Sequence, residues 1–171
     1  MKIIPNFLTA FRIVSIPFII YFFIIGEVKI SIILTIIAAL TDFVDGKLAR
    51  LLNAQTELGA KLDAVSDKFF SGGLLLTIAL KYHLLFINFT LELFISLISL
   101  FFYNKTKITK TLYIGKIKTW FLFVTVILGF VTYYNNNFKN ILFFFSIITA
   151  LLQLSCIIRY IKSGILLTTK N

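Results

Sequence analysis

The stretch TDFVDGKLARLLNAQTELGAKLDAVSDK, residues 41–68, decides the fold and the chemistry of this chain. It contains all four aspartates of the sequence, whereas the segments on both sides are apolar enough to form membrane helices. An ionisable side chain inside a membrane segment costs roughly 2.5–3.5 kcal/mol on insertion scales, so several together need a compensating partner. We expect that partner to be divalent metal.

The spacing of the aspartates supports a metal site. Asp42 and Asp45 lie three residues apart, and Asp63 and Asp67 lie four apart, so each pair shares one face of a helix. If the two helices are antiparallel neighbours joined near residues 53–57, the two pairs face each other. Such a cage of carboxylate oxygens suits Mg²⁺ or Mn²⁺ and does not suit soft metals.

Composition predicts an all-α integral membrane protein. The hydrophobic fraction is 59%, with 20 phenylalanines and a mean hydropathy of +0.97, which lies outside the range of soluble domains. We expect one domain over residues 1–171, with a short interfacial helix at residues 2–9 and six transmembrane helices. The predicted spans are residues 11–25, 30–52, 58–82, 84–103, 117–134 and 141–160.

The net charge is +10, and the placement of the basic residues along the chain determines the predicted orientation. A nucleic-acid interface would need a soluble basic domain, for which the chain has no room, so we expect no nucleic-acid partner. Lys and Arg collect on the cytoplasmic side of a bilayer. With both termini inside, the outer side receives Lys29, Lys81 and Lys139 and the inner side receives most of the other basic residues. The sequence therefore predicts a multi-pass protein in which the aspartate site faces the cytoplasm.

Four smaller features have structural interpretations. The small residues 71–73 predict close helix packing, and residues 135–137, all asparagine, predict an outer turn. Glu92 is interpreted as a polar contact between helices rather than a metal ligand. The single cysteine, Cys156, excludes an internal disulfide and is expected to be buried. The single histidine, His83, is expected at an outer membrane interface.

The central stretch follows a longer pattern than the aspartates alone. Eight positions have fixed types and intervals, D-x2-D-G-x2-A-R-x8-G-x3-D-x3-D, between residues 42 and 67. This pattern resembles the signature of the CDP-alcohol phosphotransferase family. The resemblance implies transfer of a phosphatidyl or related group from a CDP-linked donor to a hydroxyl acceptor, with release of CMP.

The resemblance also implies roles for the residues of the pattern. The four aspartates would hold two divalent ions, Mg²⁺ or Mn²⁺, and Asp67 would also be the general base. The CDP site would be formed by Gly46, Ala49, Arg50 and Gly59. In that family small residues leave room for the nucleotide, and the arginine contacts the diphosphate.

Two flanking segments resemble one branch of the family, the phosphatidylglycerophosphate synthases and eukaryotic-type cardiolipin synthases. They are PNFLT at residues 5–9, followed by Arg12, and GKIKT at residues 115–119. One position differs, because Ala64 stands where that branch commonly has proline. The branch implies CDP-diacylglycerol as donor and glycerol 3-phosphate as acceptor, with phosphatidylglycerol, serine and inositol phosphate as alternatives.

A phosphorylated acceptor needs cations to offset the carboxylates. The candidates on the predicted cytoplasmic side are Arg12, Lys116, Lys118 and Arg159. Membrane topology and anionic lipids account for basic residues there equally well. The family implies a homodimer in contact with membrane lipids. A divalent-cation transporter or a scaffold is the alternative class, although a transporter would be expected to contain repeated halves, which this sequence lacks.

Overall fold

A computed structural model of the chain describes residues 3–51, 57–106 and 113–168, with side chains described at 11–41, 65–99, 101 and 114–162. Over these residues the regular structure is helical and contains no strand. Two 3₁₀ turns, His83–Leu85 and Asn136–Phe138, precede the fourth and sixth α-helices. The α-helices are α1 Ile3–Ile24, α2 Val28–Leu51, α3 Glu57–Ala79, α4 Phe86–Thr106, α5 Tyr113–Tyr134 and α6 Lys139–Thr168. Six long helices at the predicted places confirm the all-α class.

The beginning of the chain differs from the prediction. A separate interfacial helix over residues 2–9 was expected, but α1 runs without interruption from Ile3 to Ile24, so that prediction is wrong. Pro5 lies in the first turn, where the missing N–H has no helical partner in any case. No helix-breaking residue follows before Phe11, and the helix therefore continues into the apolar run.

The chain divides into two compact units, Met1–Thr77 and Ile78–Asn171. In the first unit α1 packs against α2 across a short turn. Gly26 in this turn has φ 88°, a left-handed conformation that costs glycine little and other residues more. The Ser31 hydroxyl of α2 donates a hydrogen bond of 3.0 Å to the carbonyl of Ile19 in α1. The two helices therefore form a tight antiparallel hairpin.

Helix α3 contacts α1 at two levels in the first unit. Arg12 is paired with Asp67, and a Cβ placed on Gly73 would overlap the side chain of Ile16. Residue numbers rise together along both helices, so α1 and α3 run parallel. The close contact at Gly73 confirms the predicted packing role of the small residues 71–73.

In the second unit α4 and α5 both pack against α6. The Asn88 side-chain amide donates a 2.5 Å hydrogen bond to the Ser146 hydroxyl, joining α4 to α6. The hydroxyls of Thr125 and Thr149 lie 2.9 Å apart and join α5 to α6. In the turn between these helices the Asn135 side chain accepts a hydrogen bond from a backbone N–H two residues on. The predicted turn at residues 135–137 is confirmed.

Two segments in the described part of the chain are long and apolar enough to cross a membrane. They are Ile114–Tyr134 and Asn136–Lys162, with mean hydropathies of 1.7 and 2.5. The buried share of their apolar windows is 33% and 28%, whereas a core helix of a soluble protein would be mostly buried. Trp120, 75% exposed on α5, illustrates an apolar surface suited to lipid. Shorter apolar helices cover Phe11–Ile24, Val28–Thr41 and His83–Ser99.

Candidate functional site

The aspartate motif is divided between two helices, as the spacing predicts. Its first half lies in the last turns of α2, and its second half lies in α3, which begins at Glu57. The side chains of seven motif positions lie outside the residues whose side chains the structure describes. These positions are Asp42, Asp45, Gly46, Ala49, Arg50, Gly59 and Asp63. The facing of the two carboxylate pairs therefore stays a prediction.

Asp67 is the motif aspartate whose side chain is described, and it is paired with Arg12 of α1. The Nη1 atom of Arg12 donates to Oδ1 of Asp67 at 2.5 Å. The arginine side chain is 1% exposed, while the aspartate side chain is 56% exposed. Hydrogen bonds between ionised groups are short and roughly twice as strong as neutral ones. The pair therefore joins a buried, fixed cation to a carboxylate at the surface of the first unit.

The chemistry of Asp67 fits a site for a hard divalent cation. A carboxylate oxygen is the donor type that Mg²⁺ and Mn²⁺ prefer, and this carboxylate is exposed enough to reach a ligand. Among the side chains that the structure describes, no three His, Cys, Asp or Glu residues lie close enough together to hold a metal ion. The other three motif aspartates lie outside the described side chains, so a metal site formed by all four stays a prediction.

A second buried polar cluster connects the three helices of the second unit. Lys118 of α5 donates to Oε1 of Glu92 in α4 at 2.6 Å, and both side chains are nearly inaccessible, at 8% and 4% exposed. The Gln153 amide nitrogen of α6 donates to the other carboxylate oxygen at 2.9 Å and to the carbonyl of Asn88 at 3.0 Å. The prediction that Glu92 makes a polar contact between helices is confirmed.

The four candidate cations for the acceptor phosphate have different surroundings. Arg12 lies in the first unit, buried against Asp67. Lys118 lies in the second unit, buried against Glu92. Lys116 and Arg159, also in the second unit, are exposed.

Cys156 and His83 both have described side chains. Cys156 is buried, as expected. His83 is exposed and its ring stacks on Phe86 with 6.3 Å between centroids. Lys81 lies nearby, with its ammonium 3.4 Å from the ring centroid of Tyr133. Aromatic and basic residues together at helix ends are typical of a membrane interface, and the position of His83 at such an interface stays a prediction.

Sequence reasoning missed the pairing of Arg12 with Asp67 and the part of Gln153 in the buried cluster. Arg12 and Asp67 are 55 positions apart, and no local pattern connects them. The position of Gln153 inside a long apolar helix does indicate a contact with a neighbouring helix, because its amide needs hydrogen-bond partners there.

These observations define a class: an all-helical protein with apolar, lipid-suited helices and a carboxylate motif divided between two of them. The family described as CDP-alcohol phosphatidyltransferase matches residues 2–154, and the chain therefore belongs to that family.

Several similar relatives carry the name CDP-diacylglycerol-glycerol-3-phosphate 3-phosphatidyltransferase. The protein from Rickettsia typhi is 41% identical over 75 residues, which are 42% of each chain. The protein from Aquifex aeolicus is 40% identical over 68 residues, 40% of this chain and 38% of the relative. The protein from Salmonella choleraesuis is 39% identical over 83 residues, 47% and 46% of the two chains. This chain thus spans less than half the length of these relatives in each match.

Proposed function

We propose that this protein is a metal-dependent phosphatidyltransferase that uses CDP-diacylglycerol. It transfers the phosphatidyl group to glycerol 3-phosphate and releases CMP, giving phosphatidylglycerophosphate. The observation that carries this proposal is the complete motif at residues 42–67 inside the segment that the family matches. The relatives named for this reaction support glycerol 3-phosphate as the acceptor.

In this proposal the four motif aspartates hold two divalent ions, Mg²⁺ or Mn²⁺. When bound, such ions neutralise the diphosphate of the donor and the charge that develops on the departing CMP. Asp67 accepts the proton of the acceptor hydroxyl. The acceptor oxygen then bonds to the β-phosphorus of the donor, and the bond from that phosphorus to the bridging oxygen breaks as CMP leaves.

The remaining motif residues bind the donor. Arg50 offers a planar fork of donors to the diphosphate oxygens. Gly46, Ala49 and Gly59 keep the nucleotide site open, since larger side chains there would occupy the space of CDP. Positioning and charge stabilisation carry most of the rate in phosphoryl transfer, so these contacts account for much of the catalysis.

The proposed setting is a multi-pass membrane protein with six spans and both termini in the cytoplasm. Six long helices and the unequal distribution of basic residues support it. The active site then faces the cytoplasm, where a soluble acceptor reaches it. A homodimer in contact with membrane lipids is part of the proposal through family membership.

We assign recognition of the acceptor phosphate first to Lys116 and Arg159, whose side chains are exposed. Lys118 is paired with Glu92, so its ammonium would have to leave that carboxylate or share it to bind a phosphate. Arg12 is buried and paired with Asp67, so we do not assign it to the acceptor phosphate.

The test is an acceptor panel with purified protein, CDP-diacylglycerol and Mg²⁺ or Mn²⁺. We expect CMP release with glycerol 3-phosphate and little with phosphatidylglycerol, serine or inositol phosphate. Glu27→Gln, which changes an exposed acidic residue outside the motif, should retain parental activity. CMP release with another acceptor, and none with glycerol 3-phosphate, would show that glycerol 3-phosphate is not the acceptor. Divalent-cation flux through proteoliposomes without any CMP formation would instead indicate a transporter.

A further inference from the structure

The two side chains in the contact between Arg12 and Asp67 differ in their exposure to solvent. The Arg12 side chain is 1% exposed and the Asp67 side chain is 56% exposed. A buried arginine must keep its charge compensated, because an unpaired buried ion costs several kcal/mol. Arg12 is therefore the fixed partner, and it limits the orientations that the Asp67 carboxylate adopts at the surface.

The packing of α1 on α3 fixes the position of that guanidinium. One turn beyond Arg12 on α1, Ile16 lies against Gly73 so closely that no Cβ fits between them. Contact at this distance leaves the two parallel helices little freedom to slide or separate near the ion pair. The position of Arg12 relative to the α3 backbone is thus set by packing as well as by charge.

Asp67 lies one turn beyond Asp63 on the same face of α3. A carboxylate that serves two closely spaced metal ions and an acceptor hydroxyl needs one defined orientation, since small misplacements at a reacting centre are costly. The bond from Nη1 of Arg12 to Oδ1 of Asp67 restricts the orientation of this carboxylate.

We propose that Arg12 is a positioning residue, whose buried guanidinium holds the Asp67 carboxylate in its working orientation. This role rests on the proposed phosphatidyl transfer and deepens it. Arg12 is then not a ligand of the acceptor phosphate, the role considered for it from the sequence. A guanidinium that is 1% exposed and bonded to a carboxylate gives a soluble phosphate no access unless the pair opens.

The experiment compares Arg12→Gln and Arg12→Lys with the parental protein, measuring kcat and KM for glycerol 3-phosphate at saturating CDP-diacylglycerol. Arg12→Gln should lower kcat by about 10- to 100-fold, the scale of a misplaced catalytic group, with KM for glycerol 3-phosphate nearly unchanged. Arg12→Lys keeps the charge without the planar fork and should recover part of kcat. Lys29→Gln removes an exposed positive charge from the same unit and should match the parental protein.

Two kinetic results would overturn the role. One is a KM for glycerol 3-phosphate raised tenfold or more at unchanged kcat, which would make Arg12 a phosphate ligand. The other is parental kcat and KM in Arg12→Gln.

A second measurement needs no catalysis. Thermal unfolding of the metal-free protein is followed for Arg12→Gln, Asp67→Asn and the double variant. We expect the double variant to lose less than the sum of the two single shifts, because each single change already removes the same contact. Additive shifts would disprove the pairing itself. If the parental protein releases no CMP, the proposed phosphatidyl transfer is wrong, and so is the positioning role of Arg12 in it. The unfolding measurements test the contact between Arg12 and Asp67 independently of that result.

Discussion

Breaking the buried pair of Lys118 and Glu92 should be the most destabilising single change in the second unit. Both side chains are at least nine-tenths buried, with 2.6 Å between Nζ and Oε1. Gln153 adds a bond of 2.9 Å to the same carboxylate. Removing one member of a buried ion pair costs about 3–5 kcal/mol, because the other charge stays buried without compensation.

That free energy corresponds to a measurable shift in thermal unfolding. For a chain of this size each kcal/mol moves the unfolding midpoint by about 2–4 °C, so Lys118→Met and Glu92→Gln should each lower it by about 6–20 °C. The double variant should lose less than the two single losses combined, since neither buried charge remains. Far-ultraviolet circular dichroism of the detergent-solubilised protein provides the measurement.

Lys116→Met is the matched control for Lys118→Met. It makes the same chemical change two positions earlier on α5, where the side chain is exposed, and should shift the midpoint by no more than about 2 °C. Equal midpoints for Lys116→Met and Lys118→Met would show that the contact of Lys118 with Glu92 does not stabilise the protein. So would a double variant whose loss equals the sum of the single losses.

Three further predictions concern packing, hydrogen bonding and metal. Gly73→Ala should lower the unfolding midpoint, because the added Cβ overlaps Ile16. Gly115→Ala is the control, since the added Cβ meets open space there and should leave the midpoint unchanged or raise it. Equal shifts in the two variants would contradict the close contact of α1 with α3. Thr125→Val removes the hydroxyl contact with Thr149 and should cost about 0.6 kcal/mol and at most about 1.7 kcal/mol, the average and the maximum measured between membrane helices; an unchanged midpoint would show that this bond contributes nothing. Chelation by EDTA should abolish CMP release, and Mg²⁺ or Mn²⁺ should restore it; activity that persists in EDTA would exclude the proposed metal dependence.

The helices were predictable because their ends have local signals. Gly26 ends one helix in a left-handed turn, and Asn135 lies in the turn between two others. The motif positions also fall on helices as their spacing predicts. The prediction of a separate N-terminal helix is wrong because Pro5 lies in the first turn of α1, where a proline is compatible with a long helix as well as with a short one.

The burial of Lys118 has a signal in the sequence of α5. Lys118, Leu122, Thr125 and Gly129 recur at helical spacing, and all four are buried on one face of α5. Lys116 is about 200° away around the helix, which explains its exposure. Periodicity within α5 therefore distinguishes the two lysines.

The partners of the buried charges had no such signal. Glu92 and Lys118 are 26 positions apart and lie on different helices, so their contact depends on how α4 and α5 pack. Arg12 and Asp67 are 55 positions apart, and their contact depends on how α1 packs against α3. A single sequence contains the charges but not the helix arrangement that pairs them.

The central claim is that the motif aspartates carry out metal-dependent phosphatidyl transfer. It is tested most directly by the rate of CMP release from CDP-diacylglycerol and glycerol 3-phosphate, measured for the parental protein, Asp63→Asn and Asp67→Asn. We expect glycerol-3-phosphate-dependent release of CMP by the parental protein and a loss of at least about 100-fold in each variant. Parental rates in either variant, with the fold retained, would contradict it.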